Sequence, residues 1–240
     1  RSSLMGKPSL NNATALIDGD ILVYRVGFAS DDDDEKFAIS RMGHYVTNLL
    51  RFDYVDDYFG YITGRTNFRY KIANEKEYKG NRSGARKPNH YEALRQYLME
   101  KWGFELSEGE EADDAIGIAA YGMRAGAFCI MSLDKDLDML RGWHYNFVKD
   151  DLYYVTEKEG IKNFYLQILT GDRVDNIPGL QGIGPVKAGR ILEDCNNERQ
   201  LFAAVLDAYE DNLELLTERA QLLWIRRKSG EIWVPKLSQK

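Results

Sequence analysis

The sequence predicts an α/β fold, a mostly parallel central sheet flanked by helices, and three observations carry that prediction. The runs Ala13-Thr14-Ala15-Leu16-Ile17, Tyr58–Thr63 and Ala127–Ser132 are short and rich in apolar, β-branched or aromatic residues, as buried strands are. Stretches of helical periodicity separate them. Acids follow the runs, in Asp18-Gly19-Asp20 and Asp134-Lys135-Asp136, and the carboxyl ends of strands are where open α/β sheets bind ligands.

The opening stretch to Asn12 is polar and irregular, and Arg1–Met5 reads as a foreign scar ahead of the native start, set apart from the fold. Beyond the first strand, Ile21–Phe28 reads as a helix or turn carrying Tyr24 and Arg25. Asp31–Glu35 reads as a solvated or helix-capping run before the helical pattern of Phe37–Phe52, because tightly adjacent acids rarely point at one ion. The second strand ends at Gly64. From Arg65 to Lys101 the charge balance turns basic, with Phe68, Tyr70, Tyr78 and Tyr91 interleaved. Phosphate attraction plus base stacking needs that mixture, and an exposed charged helix pair is the alternative. Asn89–Trp102 has helical periodicity through Tyr91, Leu94, Tyr97 and Leu98.

Glu110, Glu111, Asp113 and Asp114 then place four carboxylates in five positions ahead of an apolar helix that continues through Tyr121. A helix N-terminus favours acids, and so does a divalent cation. Trp143–Val148 adds a strand and Leu152–Thr156 an edge arm. The last third is helical and rich in glycine: Phe164–Leu169 leads to Asp172 and Asp175, then to Gly182-Ile183-Gly184 with Pro185 at a first helical position. That is the form of a helix–hairpin–helix, whose bare N–H groups can cradle a phosphate. Helices at Glu198–Tyr209 and Leu213–Arg226 complete the chain, with Trp224, Ile225 and Trp233 as packing residues. The expected organisation is an α/β core over 13–160, with a helical gateway at 65–101, and a helical region over 161–240 packed on that core.

The chain has 240 residues, 44% of them hydrophobic, enough for a sizeable core. No apolar run is long enough to span a bilayer and no signal-peptide pattern opens the chain, so a cytoplasmic protein is expected. Cys129 and Cys195 form no disulfide framework and fit a reducing compartment. The net charge of -6 argues against binding nucleic acid by bulk charge, which leaves the local stripe at 65–101 to do so. His44, His90 and His144 are scattered without ligand spacing, and no Ser-His-Asp set is visible. Four segments supply acids: Asp18; Glu110 to Asp114; Asp134 and Asp136; Asp172 and Asp175. Packing them together without cations would raise pKa values or cost stability, so the pattern implies bound divalent ions. Two such ions roughly 4 Å apart would activate a water and stabilise the leaving oxygen in phosphodiester hydrolysis.

The sequence resembles the 5′-nucleases, a family that includes flap endonucleases, phage 5′→3′ exonucleases and the nuclease domain of bacterial DNA polymerase I. The resemblance covers Leu16 to Leu192. Its marks are Leu16-Ile17-Asp18-Gly19, Phe68-Arg69, Tyr78-Lys79-Gly80-Asn81-Arg82, Glu111-Ala112-Asp113-Asp114, Ser132-Leu133-Asp134-Lys135-Asp136, Gly171-Asp172-Arg173-Val174-Asp175-Asn176-Ile177-Pro178-Gly179 and Gly182-Ile183-Gly184. It implies a PIN-like 5′-nuclease core in which Asp18, Glu111, Asp113, Asp114, Asp134, Asp136, Asp172 and Asp175 hold Mg2+ or Mn2+. By the same resemblance Lys79 and Arg82 engage the scissile phosphate, Arg69 contacts substrate and Tyr78 stacks on a terminal base. Gly182, Gly184 and Lys187 grip duplex phosphates, with a K+ ion at the hairpin. Glu110 and Asp138 fall beside the motif.

One departure stands out. Family members carry an Asp at the end of the second strand, and Tyr61-Ile62-Thr63-Gly64 has none. Either Asp56 or Asp57 substitutes, or one metal is held with fewer ligands. The gateway is also slightly longer between Phe68-Arg69 and Tyr78-Lys79. The expected protein is a free-standing monomer, similar to phage enzymes, that cuts DNA by in-line attack and leaves 5′-phosphates and 3′-hydroxyls. A non-catalytic DNA-structure-binding protein with a degenerate metal site and a PIN-type RNA nuclease are the alternatives.

Overall fold

The computed structural model describes residues 6–237, so residues 1–5, on which the reading of a foreign segment falls, and residues 238–240 lie outside the described residues. Strand β1 (Ala13–Asp18) runs directly into helix α1 (Gly19–Ala29). Then come α2 (Glu35–Leu49), β2 (Val55–Asn67), the short α3 (Arg69–Ile72), α4 (Tyr91–Trp102), β3 (Glu105–Gly109) and α5 (Ala112–Tyr121). Next are β4 (Phe128–Met131), β5 (Gly142–Asn146) and β6 (Asp151–Val155). The sheet order is β3-β2-β1-β4-β5-β6, and all pairs are parallel except β5 with β6. The chain leaves β1 on one side for β2 and β3 and returns on its other side as β4. A topological switch point therefore sits at the carboxyl ends of β1 and β4, where a crevice opens in such sheets.

Alternation along the strands buries both sheet faces, as a parallel sheet requires. Leu16, Phe128 and Ile130 pack with Ile116 of α5 on one side. Ala15, Ile17 and Met131 pack with Leu22, Met42 and Leu94 of α1, α2 and α4 on the other. Gly19 is needed where β1 turns into α1, because a Cβ there would lie 2.5 Å from the Tyr61 carbonyl oxygen and 2.8 Å from Ile62. Asp34 caps α2 by accepting the Phe37 N–H at 2.8 Å, and Asp31 accepts the Asn89 N–H at 2.9 Å, so the acidic run serves the chain turns.

Two expectations are corrected here. Strand β3 was not foreseen, since Glu105-Leu106-Ser107-Glu108-Gly109 is polar; it is an edge strand, held by its ladder to β2. The gateway at 65–101 is largely not helical. Strand β2 continues to Asn67, α3 makes a single turn, and a 3-10 turn at Gly80–Arg82 is followed by irregular chain as far as α4. Lys79 just before that turn and Gly84 after it take left-handed backbone angles, φ 55° and 81°, through which a helix does not continue.

The remaining elements are α6 (Glu157–Thr170), β7 (Gly171–Asp172), β8 (Ile177–Pro178), α7 (Pro185–Ile191), α8 (Glu198–Ala208) and α9 (Leu213–Leu223). Helix α6 starts ahead of the expected boundary at 160/161, with its N-terminus capped by Thr156. One cluster of buried residues runs from Leu16 through Ile116 and Phe164 to Trp224 and Trp233, so the helical region shares its core with the sheet. Among the described residues no helix is long and apolar enough to cross a membrane.

Candidate metal centre and nucleic-acid interface

The switch point collects acids from the ends of β1 and β4, the start of α5 and the β7–β8 turn, while β2 arrives there with Thr63. Asp18 closes β1, caps α1 by accepting the Ile21 N–H at 3.2 Å, and accepts the Ser132 hydroxyl at 2.8 Å. Asp134 and Asp136 sit on a 3-10 turn after β4; Asp134 accepts the Asp136 N–H at 2.9 Å and Asp136 accepts the Gln167 amide at 2.7 Å. Asp172 and Asp175 come from the β7–β8 turn, in which Asp172 accepts the Val174 N–H at 2.8 Å. Glu111 and Asp113 stand at the start of α5, whose Ala112 N–H is received by Thr63 Oγ1 at 2.9 Å. Together Asp18, Asp20, Glu111, Asp113, Asp134, Asp136, Asp172 and Asp175 line one crevice of about 270 Å³, with Tyr24, Thr63, Lys79 and Arg82.

Electrostatics in the crevice are strained. Burial, then the charge of Asp20, pushes the Asp18 carboxyl up to about 7. Burial, then Asp134, Asp172 and Asp175, pushes Asp136 up to about 8. Asp20 and Asp134 are raised and Asp113 well raised, burial being the foremost cause in each. Basic side chains offset part of this. Lys79 Nζ bonds Glu111 Oε1, and Arg82 Nη2 meets Asp175 Oδ1 at 2.6 Å. Burial works against the Lys79 charge, yet Glu111 and Asp175 hold it above its ordinary value. The backbone fixes this latch: Lys79 N–H donates to Asp175 O at 3.0 Å and Arg82 Nε to Val174 O at 3.0 Å.

An all-oxygen donor set with mutually raised carboxyls has the chemistry of a hard divalent-cation site. Among the described residues no three acids close on a point tightly enough to form a ready-made ligand cluster. Lys79 and Arg82 occupy oxygens of Glu111 and Asp175 in this arrangement. The residues present fit a hard divalent cation, held by several separate segments of the crevice wall.

No protein-family model matches the chain. A DNA polymerase I of Borreliella burgdorferi is 33% identical over an alignment of 140 residues that covers 53% of this chain and 14% of that protein. A 5′-3′ exonuclease of Buchnera aphidicola is 30% identical over 210 residues, covering 78% of this chain and 72% of the exonuclease. The chain belongs to the 5′-nuclease family. It spans only a small part of the polymerases that it matches, 14% of the one and 10% of a second from Rhizobium leguminosarum. The fold agrees with the bacteriophage T5 flap endonuclease, solved as a pseudo-enzyme-product complex with DNA and metal ions. That match has a TM-score of 0.62 at 20% identity and covers 88% of each chain.

Within this 5′-nuclease fold, several expected site residues are reassigned by their geometry. Asp114 is fully buried and does not line the crevice; Arg69 Nη1 and Nη2 hold its two oxygens at 2.6 and 2.9 Å. Arg69 is itself 2% exposed and donates to the Leu222 and Trp224 carbonyls, so it contacts the protein interior and not a substrate. Tyr78 is also 2% exposed and cannot present a ring face to a base. Its hydroxyl lies 3.2 Å from both Glu111 oxygens and 3.0 Å from Asp175 Oδ2, bridging two acids. Asp56 and Asp57 lie at the start of β2, the opposite end of the sheet, and cannot stand in for the missing strand-end acid. Gly182, Gly184 and Lys187 are exposed at the start of α7 and outside the crevice. Glu110 pairs with Arg226 at 3.0 Å and Asp138 accepts the Tyr153 hydroxyl at 2.6 Å, both outside it too.

Sequence reasoning missed Asp20 and Tyr24, both of which line the crevice. Asp20 could have been found as the second acid of Asp18-Gly19-Asp20. Tyr24 lies one helical turn beyond Asp20, on the same face of α1.

Proposed function

We propose that the chain is a divalent-metal-dependent 5′-nuclease that hydrolyses DNA phosphodiester bonds at or near 5′ ends. The observation that carries this reading is the single crevice lined by seven of the eight acids expected to hold metal, with Lys79 and Arg82 on its wall. A bound Mg2+ or Mn2+ pair would supply a nucleophile at neutral pH and offset charge on the leaving oxygen. Asp18, Glu111, Asp113, Asp134, Asp136, Asp172 and Asp175 would hold those ions. Lys79 and Arg82 would leave Glu111 and Asp175 for the scissile phosphate and stabilise its developing charge. Tyr78, through its hydroxyl, orients Glu111 and Asp175.

A hollow of about 240 Å³ adjoins the crevice and shares Asp20, Tyr24, Thr63, Lys79, Arg82 and Glu111 with it. Tyr24 and Tyr70 line it and are 38% and 53% exposed, so they take the base-stacking role expected of Tyr78. Exposed Gly182, Gly184 and Lys187 would hold duplex phosphates farther along, with K+ at that hairpin. In this reading the protein works as a cytoplasmic monomer on duplex ends or flaps. The solved bacteriophage T5 relative, with its DNA and metal ions, supports the substrate class.

The test incubates end-labelled duplex, 5′-flap DNA and RNA with the protein and Mg2+, beside Asp172→Asn. Mg2+-dependent DNA cleavage that the variant loses is expected. DNA binding without cleavage would assign the non-catalytic reading, and preference for RNA the PIN-type one.

A further inference from the structure

Strand β1 has two neighbours, and only one of them ends in an acid. Strand β4 leads to Asp134, whereas β2 reaches the crevice at Thr63. We propose that Asp20, from the first turn of α1, supplies the acidic group of the divalent-cation site at the end of β2. The inference rests on the reading of the crevice as a metal site.

Three placements carry it. Both Asp20 oxygens face the Thr63 N–H, at 3.1 and 3.2 Å, so the carboxylate lies against the strand end itself. Gly19 makes this approach possible, since any side chain there would strike the Tyr61 carbonyl and Ile62 and push α1 away from β2. Asp20 also lines the crevice beside Asp18, Glu111 and Asp113, with its side chain 29% exposed. Arg95 completes the group: its Nη2 donates to Thr63 O at 2.9 Å while its Nη1 lies 3.6 Å from Asp20 Oδ1. An anion at this place closes the side of the site toward β2, and Arg95 tempers its charge.

The competing role for Asp20 is a tie between α1 and β2. Asparagine keeps the tie, because its carbonyl oxygen still accepts the Thr63 N–H, and it removes the charge. Mn2+ binding is to be measured by calorimetry and by electron paramagnetic resonance on the unmodified protein, Asp20→Asn, Asp20→Asn with Thr63→Asp, and Asp172→Asn. Loss of about 10- to 100-fold in affinity is expected for Asp20→Asn, with recovery when Thr63→Asp returns an acid to the strand end. Affinity unchanged in Asp20→Asn, or lost without recovery in the double variant, overturns the proposal. Arg95→Gln provides an arm that does not depend on Asp20→Asn folding: removal of the opposing charge should tighten Mn2+ binding, and no tightening counts against Asp20. If the unmodified chain binds no Mn2+, the nuclease reading itself fails. If Asp172→Asn loses Mn2+ and Asp20→Asn does not, only the present inference fails.

Discussion

Arg69 grips Asp114 through two guanidinium nitrogens, at 2.6 and 2.9 Å, both residues buried and neither lining the acidic crevice. Asp114 also accepts the N–H groups of Glu111 and Arg226, both at 3.0 Å, so one carboxylate joins the start of α5 to the chain beyond α9. Burial alone would raise the Asp114 carboxyl, but Arg69 and those N–H groups hold it below the ordinary range. Removing one partner leaves a buried charge unmatched. Arg69→Leu or Asp114→Ala should cost about 3–5 kcal/mol in chemical denaturation, far beyond a substitution at an exposed site. A loss under about 1 kcal/mol would mean that water reaches the pair.

The raised carboxyls set the pH dependence of the metal-free protein. Asp18 and Asp136 titrate at about 7 and about 8 when folded and near 3.8 when unfolded. Between those values the folded state holds protons that the unfolded chain has released, so stability falls as pH rises. The contribution is full below the unfolded value and is lost on passing through the folded ones. In EDTA the Tm should drop between about pH 5 and about pH 8.5, and Mg2+ should restore it most at the upper end. A Tm that climbs across this window in EDTA would refute the assignment.

Lys79 is expected to act on the phosphate and not on the ions. Lys79→Met should lower kcat on DNA by about 10²- to 10³-fold while Mn2+ binds no more weakly than before. Weaker Mn2+ binding would make the lysine a support of the acids instead.

Tyr78→Phe separates stacking from hydrogen bonding. Phenylalanine keeps the ring and deletes the hydroxyl between Glu111 and Asp175. Divalent-ion affinity should fall about 10-fold or more. KM for DNA would change instead if the ring stacked on a base.

Gly171 shapes the turn that carries Asp172 and Asp175. Its φ is +72°, and a Cβ there would lie 2.2 Å from Gly179 N and 2.5 Å from the Ile177 oxygen. Gly171→Ala should destabilise by about 1–3 kcal/mol and weaken Mn2+ binding along with it, measured by thermal melts and calorimetry. Intact metal affinity in a destabilised Gly171→Ala would show that the turn can shift without moving its acids.

The sequence by itself determined the parallel sheet, because apolar runs of strand length alternate with helical periodicity. It also determined most of the crevice, because Asp18 and Asp134 follow strand ends and such ends meet at a switch point. Trp224, Ile225 and Trp233 were legible as packing residues and are buried. Tertiary structure decided the rest. Asp113 and Asp114 are adjacent on α5 and project about 100° apart, so only the packing partners select which one faces the crevice. Asp113 lines it, and Asp114 turns inward to Arg69. Tyr78 and Arg69 lie in a basic, aromatic stripe that promised contact with nucleic acid, yet both are buried, Tyr78 against the β7–β8 turn and Arg69 against the end of α9. Strand β3 is polar and takes its identity from hydrogen bonds to β2, which local composition does not encode. Asp20 reaches Thr63 across a separation of 43 residues, a proximity that exists only once α1 has packed against β2.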